Sequence, residues 1–427
     1  MKITFLGAAR DIGRSGFLVQ DQNARIVLDY GIALKADKPL YPLPVKGFID
    51  AAVLSHSHLD HCGALPVLYK NSEVPCYMTP PTMALASLLI KDAMKVNDSK
   101  GLPLPYSDTH FKRMMRNVQP INCGKPHPIA NGVTLEFNDA GHIPGAAMCL
   151  LKTKSHNLLY TGDFKLQDTN MHSAAYSDYK GVDVLMTETT YGTREHPDRE
   201  EQEKKYVNLV KETLEQNGNV LLPAFGVGRS TEIIMILRKH GVEAPIYMDG
   251  MAKEAAEIAM DFPDYVRDYD AFYRDMMSVD FIQDFSERKR IFNRPGVVVA
   301  PAGMLQGGHM KNYVLRLNKI NKPKALLFSG YQAEGTPGRN LQDYGKLIID
   351  KVQIDVSKFT IGYFDFSAHA GLSDLQRFVK KVKPKLVISI HGEPESTKSF
   401  SEWVEGNTKA VARYPKLGET LDIDEII

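Results

Sequence analysis

Ser55-His56-Ser57-His58-Leu59-Asp60-His61 follows the apolar stretch 51–54, and its reading decides the rest of the chain. Three imidazoles and a carboxylate this close in sequence converge only in a tight turn beyond a strand end. Imidazole nitrogens suit zinc, and Asp60 adds the hard oxygen that a second, more Lewis-acidic site tolerates. The plain alternative is a polar loop in which histidines happen to cluster. Histidine is scarce, 13 in 427 residues, so the metal reading is the stronger one.

Further candidate donors stand where other apolar runs stop. His142 lies in Asn138-Asp139-Ala140-Gly141-His142-Ile143-Pro144-Gly145, Asp163 in Tyr160-Thr161-Gly162-Asp163-Phe164, and His391 in Ile388-Ser389-Ile390-His391-Gly392-Glu393. Each has small residues beside it that let backbone and ligand approach closely. Taken singly, each is as readily structural; beside the His56–His61 cluster they complete a dinuclear set.

Composition narrows the class. Hydrophobic residues make up 43% and charged residues 24%, as in soluble globular proteins. Lys+Arg 52 against Asp+Glu 51 gives +1, which argues against a surface that coats nucleic acid or membrane throughout. Four cysteines without a CxxC pair exclude a disulfide scaffold. No apolar run approaches the roughly 18 residues of a membrane span. The opening Met-Lys-Ile-Thr-Phe-Leu-Gly reads as a strand rather than a signal peptide, so a cytoplasmic location is expected.

Short β-branched runs dominate the first third, with helices expected at 81–97 and 108–118. After about Thr189 strands and helices alternate up to 325–329, the pattern of a parallel α/β unit. More strands and a helix at 372–382 follow. The expected fold is therefore α/β: an outer domain of residues 1–188 and 352–427, split by an inserted domain at 189–351.

These motifs, in this order, resemble the β-CASP ribonucleases of the metallo-β-lactamase superfamily. HxHxDH, a glycine-flanked His, TGD and a late His match the superfamily pattern. Leu185-Met186-Thr187-Glu188-Thr189-Thr190-Tyr191-Gly192 and Phe366-Ser367-Ala368-His369-Ala370-Gly371 are similar to motifs of the β-CASP branch, as are the runs 223–229, 303–308 and 330–336. The likeness spans about residues 1–420. It is strongest toward archaeal homologues of the nuclease subunit of the cleavage and polyadenylation specificity factor, with RNase J more distant. It implies a metallo-β-lactamase αββα sandwich carrying an inserted parallel α/β β-CASP domain.

The resemblance implies two Zn2+ per chain. His56, His58 and His142 would hold one, Asp60, His61 and His391 the other, and Asp163 would bridge them. Two such metals, roughly 3.5–4 Å apart, activate water and clamp a phosphodiester in line. Asp29 would fix the loop that carries the ligands. His369 would protonate the leaving oxygen, oriented by Glu188; by itself Glu188 could be a plain strand-end residue.

RNA as substrate rests on His391, since DNA-processing members tend to carry an apolar residue there, and on uneven charge. Acids prevail over 261–284; over 286–324 Arg288, Lys289, Arg290, Arg294, Lys311, Arg316, Lys319, Lys322 and Lys324 face Glu287 alone. Such a basic stripe could meet phosphates or could be an ordinary solvated face. Gly303, Met304, Gln306, Gly307 and Gly308, before a helix, are candidate phosphate contacts, with Arg229 and Ser230, although capping would equally explain Ser230. RNA is expected to pass between the two domains. The expected partners are single-stranded RNA, RNA-processing or exosome-like proteins and, through a 421–427 edge strand, a second copy; no membrane is expected. A DNA nuclease, a small-molecule hydrolase and an inactive scaffold subunit are the rivals; the last conflicts with the full ligand set.

Overall fold

The computed structural model describes residues 1–22, 24–35 and 38–427. By their contacts these residues form two compact units. The first comprises Met1–Asp168, Ser173–Glu195 and Ala368–Ile427; the second comprises Thr169–His172 and His196–Ser367.

The first unit is built on two seven-stranded sheets. One holds Lys2–Phe5, Gly16–Asp21, Ala24–Tyr30 and Ala51–Val53, the other Val133–Asp139, Ala147–Lys152, Asn157–Tyr160, Val184–Glu188 and Leu386–Ile390. Alternating side chains from both sheets, among them Phe5, Phe17, Val53, Phe137, Leu158, Met186 and Ile388, interlock in one buried core. Helices Pro80–Ser99 and Asp108–Arg116 cover the first sheet, where Leu54, Cys76, Ile90 and Phe111 form a separate cluster. Helix Pro394–Asn407 packs against Leu386–Ile390 of the second sheet, so the expected αββα sandwich is present.

Strand direction explains where the motifs gather. Ala51–Val53 runs parallel to Ala24–Tyr30, so the His56 loop leaves the sheet beside Asp29. Asn157–Tyr160, Val184–Glu188 and Leu386–Ile390 are consecutive parallel neighbours, with Tyr160 opposite Met186 and Glu188 opposite Ile390. Their carboxyl ends deliver Asp163, Glu188 and His391 to one edge. Val133–Asp139 ends there too, opposite Ala147, and carries His142. The crowding demands glycine at Gly31 and Gly162. A Cβ on Gly31 would lie 1.9 Å from the Asp60 carbonyl oxygen, and one on Gly162, whose φ is +54°, 2.8 Å from the Ser55 Cβ.

The second unit is a six-stranded parallel sheet. Residues of Arg199–Glu215, Arg229–Lys239, Met251–Met260 and Tyr269–Met277 pack on one face, and residues of Met310–Asn318 and Pro337–Tyr344 on the other. The structure differs from the sequence reading at the later boundary. Thr360–Tyr363 pairs in parallel with Lys324–Phe328, so it belongs to this sheet rather than to the outer domain. A short β-branched run carries no mark of which sheet it will join. The tail also differs: only Thr420–Asp422 is strand, at the edge beside Lys2–Phe5, before a 3-10 turn buries Ile423.

Candidate metal centre

Six histidines meet at the loaded edge of the sandwich: His56, His58, His61, His142, His369 and His391. Two donor sets share one carboxylate. His56, His58, His142 and Asp163 offer atoms all within 4.8 Å of one another, as do Asp60, His61, Asp163 and His391. Nε2 of His142 faces Nδ1 of His58 at 3.2 Å, and Nε2 of His61 lies 3.3 Å from Oδ2 of Asp163. Nε2 of His391 lies 3.2 Å from Oδ2 of Asp60.

The set fits divalent metal. His56 Nε2 and Asp163 Oδ1 are buried without a hydrogen-bond partner, an arrangement that is costly unless an ion satisfies them. Burial also drives the imidazoles of His56 and His142 well below their usual range and that of His58 to about 4, leaving them neutral, as ligands must be. Burial works against ionisation of Asp60 and Asp163, but the neighbouring histidines outweigh it and hold both carboxyls low. His61 and His391 are held up by Asp163 and Asp60 against burial, as protons standing where a bound cation would neutralise the same carboxylates. Buried carboxylates of this kind call for positive charge.

Asp29 lies against the start of the histidine loop. Its buried carboxylate accepts from the Ser55 amide and hydroxyl, both at 2.7 Å, and from Tyr160 Oη at 2.5 Å, and it lies 2.7 Å from His61 Nδ1. Ser55 and Tyr160 were not singled out from sequence. A polar atom on a residue otherwise flanked by strand-forming apolar neighbours is the signal they carried.

His369 stands beside the two sets. Its Nδ1 lies 2.9 Å from Oε2 of Glu188, which has no exposed surface, and its Nε2 lies 4.0 Å from Oδ2 of Asp163. Burial lowers the His369 imidazole, yet Glu188 and Asp163 overcome this and hold it at about 9. Two contacts fix its loop: His142 Nδ1 meets the Ala368 carbonyl at 2.8 Å, and the buried Lys165 Nζ donates to the His369 carbonyl at 3.1 Å. Nothing in the sequence pointed to Lys165.

The other candidates lie in the second unit. The 303–308 turn joins Gly296–Ala300 to the helix Met310–Asn318, and Gly307 and Gly308 have φ of +101° and +65°. Arg229 Nη1 donates to the Ser329 carbonyl at 3.0 Å. Ser230 is buried and its hydroxyl donates to the Phe225 carbonyl at 2.6 Å, so its side chain is spent inside the loop. The basic stripe is largely structural. Arg288 forks onto Asp249 at 2.7 and 2.8 Å, Arg294 bonds Tyr247 Oη at 2.8 Å, and Lys311 pairs with Asp350 at 2.8 Å. Arg316 caps the carbonyls of Arg288 and Lys289, and Lys324 is buried against the Leu317 carbonyl. A charge run read along the chain cannot show such partners.

An αββα sandwich with paired His/Asp donor sets at its edge defines a metallo-hydrolase of the metallo-β-lactamase class. Family models agree: a metallo-beta-lactamase superfamily domain matches residues 18–190, a Beta-Casp domain 231–341, and a Zn-dependent metallo-hydrolase RNA specificity domain 357–415. "Probable RNase MJ4" of Methanocaldococcus jannaschii is 35% identical over 99% of this chain and 100% of its own length. "RNase aCSPSF2" of Saccharolobus solfataricus is 32% identical, covering 99% and 85%. "Transcription termination factor FttA" of M. jannaschii is 32% identical, covering 95% and 69%. A crystal structure of a protein of unknown function from Enterococcus faecalis V583 shares the fold, with a TM-score of 0.58, 16% identity and coverage of 98% and 99%. The chain belongs to the β-CASP family of the metallo-β-lactamase superfamily, together with these archaeal relatives.

Proposed function

We propose that this chain is a two-zinc ribonuclease that hydrolyses phosphodiester bonds of single-stranded RNA. The observation that carries the reading is the Glu188–His369 pair set against the two donor sets at Asp163. A proton donor at that place suits a leaving oxygen that departs as an alkoxide, as in RNA cleavage.

His56, His58 and His142 would hold one ion and Asp60, His61 and His391 the other, with Asp163 within reach of both sets. Bound there, the ions would supply Lewis acidity toward water and phosphate oxygens. The chain supplies the rest. Asp29 anchors His61 and, through Ser55, the start of the ligand loop. Glu188 keeps the proton on His369 Nδ1 and favours the charged ring, so Nε2 carries the second proton toward the centre. As the new oxygen–phosphorus bond forms and the P–O3′ bond breaks, that proton passes to O3′. The products carry 5′-phosphate and 3′-hydroxyl ends, and no covalent enzyme intermediate is formed.

The relatives' printed names support RNA over DNA and over small esters. Pairing of two copies along the outer edge of Thr420–Asp422, and association with RNA-processing or exosome-like proteins, extend the same proposal. Among the described residues, no helix is long and apolar enough to cross a membrane.

The test is end-labelled RNA bearing a 5′-monophosphate or a 5′-triphosphate, incubated with zinc beside matched single-stranded DNA. RNA cleavage is expected, with DNA largely intact. Immediate mononucleotide release marks an exonuclease and intermediate fragments mark an endonuclease. Intact RNA together with robust thioester or β-lactam hydrolysis overturns the reading.

A further inference from the structure

In the second unit, Asn219–Pro223 lies between Gly296–Ala300 and Lys324–Phe328, all three parallel. Their carboxyl ends open at one edge, the place where parallel α/β sheets bind ligands. A small hollow lies there, lined by Phe225, Gly303, Ser329, Gly330, Tyr331 and Gln332 among others. Phe225 and Tyr331 are 45% and 48% exposed, although both closely follow fully buried strands. A single surface aromatic is ordinary. Two of them on the loops of adjacent strands, around one hollow, are not explained by the packing of the unit.

The hollow is also held in shape. The amide nitrogen of the buried Gln332 reaches the carbonyls of Gly303, Gly330 and Tyr331 at 3.3, 3.1 and 3.2 Å, which ties its two walls together. A Cβ on Gly303 would press on the Ala224 and Phe225 backbone at 3.3 Å, whereas one on Gly330 would meet nothing within 4 Å. That side is open to another molecule. Arg229 donates to the Ser329 carbonyl, which holds that wall from behind. Exposed aromatic faces make a platform for an unpaired nucleotide, and the platform is sequence-tolerant because every base has a π-face.

We propose that the mouth of this hollow is a base-stacking subsite, in which the exposed rings of Phe225 and Tyr331 stack on one unpaired base of the RNA. The inference rests on the ribonuclease reading. It gives the inserted unit a role in gripping the strand without reading its sequence.

The test scans 2-aminopurine through a short single-stranded RNA bound to full-length protein carrying His369→Ala, which blocks turnover. Quenching at one position is expected, together with its relief and a roughly tenfold weaker affinity in Phe225→Leu and in Tyr331→Leu. Both residues are half-exposed, so the variants should fold; circular dichroism checks this. Quenching and affinity unchanged in both variants overturn the subsite. Cleavage of unmodified RNA by the unaltered protein is measured alongside. If RNA is cleaved but the variants behave as wild type, only the subsite fails. If RNA is neither bound nor cleaved, the ribonuclease reading fails with it.

Discussion

The partly exposed imidazole of His369 pairs with the buried carboxylate of Glu188, Nδ1 to Oε2 2.9 Å, and that carboxylate also accepts the Phe164 amide at 3.0 Å. Glu188 is thereby fixed, and with it the ring. Replacing Glu188 by Gln keeps the shape and removes the charge that favours imidazolium. The acid form is then lost at lower pH, so the alkaline limb of the pH–rate profile should move down. A kcat profile for E188Q with an unmoved alkaline limb would count against general-acid catalysis by His369.

His369→Ala should lower turnover by roughly 10²–10⁴-fold, the usual worth of a positioned acid. Metal content per chain should not change. Loss of metal in this variant would make His369 a ligand instead.

The ligand assignment predicts metal stoichiometry. After dialysis against a weak chelator, His58→Ala and His391→Ala should each retain about half the metal of the unaltered protein, because each removes a donor from one set only. Asp163→Asn should retain the least, since Asp163 serves both sets. Elemental analysis reads the result. Equal retention in all three variants would mean that the two sets do not act as separate sites.

Asp29 has φ of +54°, which Asn tolerates. Asp29→Asn therefore leaves the backbone unstrained but weakens the hold on His61 and on the Ser55 amide. Metal affinity should fall by roughly 10–100-fold, the effect seen when the groups behind a ligand are lost. A metal titration followed by calorimetry checks it.

Lys165 acts on His369 through its carbonyl. Lys165→Met should reduce kcat by roughly ten- to a hundredfold, through misplacement of the acid, with KM and metal content unchanged. A change in KM alone would assign Lys165 to substrate binding.

In the second unit Glu203 is buried against Arg199, Lys239 and His240 at 2.8, 2.9 and 3.1 Å. Burial raises its carboxyl, but these donors outweigh it and bring it down from 4.5 to about 2. A depressed carboxyl stabilises fully above its ordinary pKa and loses that contribution as pH falls through the folded value. Glu203→Gln should thus cost roughly 3 kcal/mol at neutral pH. The gap between variant and wild type in denaturation should close between pH 4.5 and about 2.

Much of the centre was legible because ligand chemistry leaves dense local marks. His56, His58, Asp60 and His61 are neighbours in sequence, and His142, Asp163 and His391 each stand just past an apolar run. Local spacing was silent on residues that act through one distant contact, as with Lys165 on His369 and Tyr160 on Asp29. The stripe 286–324 shows the opposite failure. Its charge was plain, yet Arg288 and Lys311 answer Asp249 and Asp350, which lie far away in the chain.

The sequence by itself determined the kind of chemistry and the alternation of elements, because donor types and periodicity are local properties. Only the tertiary structure decided that Thr360–Tyr363 joins the second unit's sheet, because strand pairing is chosen by a distant partner. It alone showed which charges are spent on internal partners and which aromatic rings are left bare. Those facts depend on what surrounds each side chain after folding, and a one-dimensional pattern does not hold them.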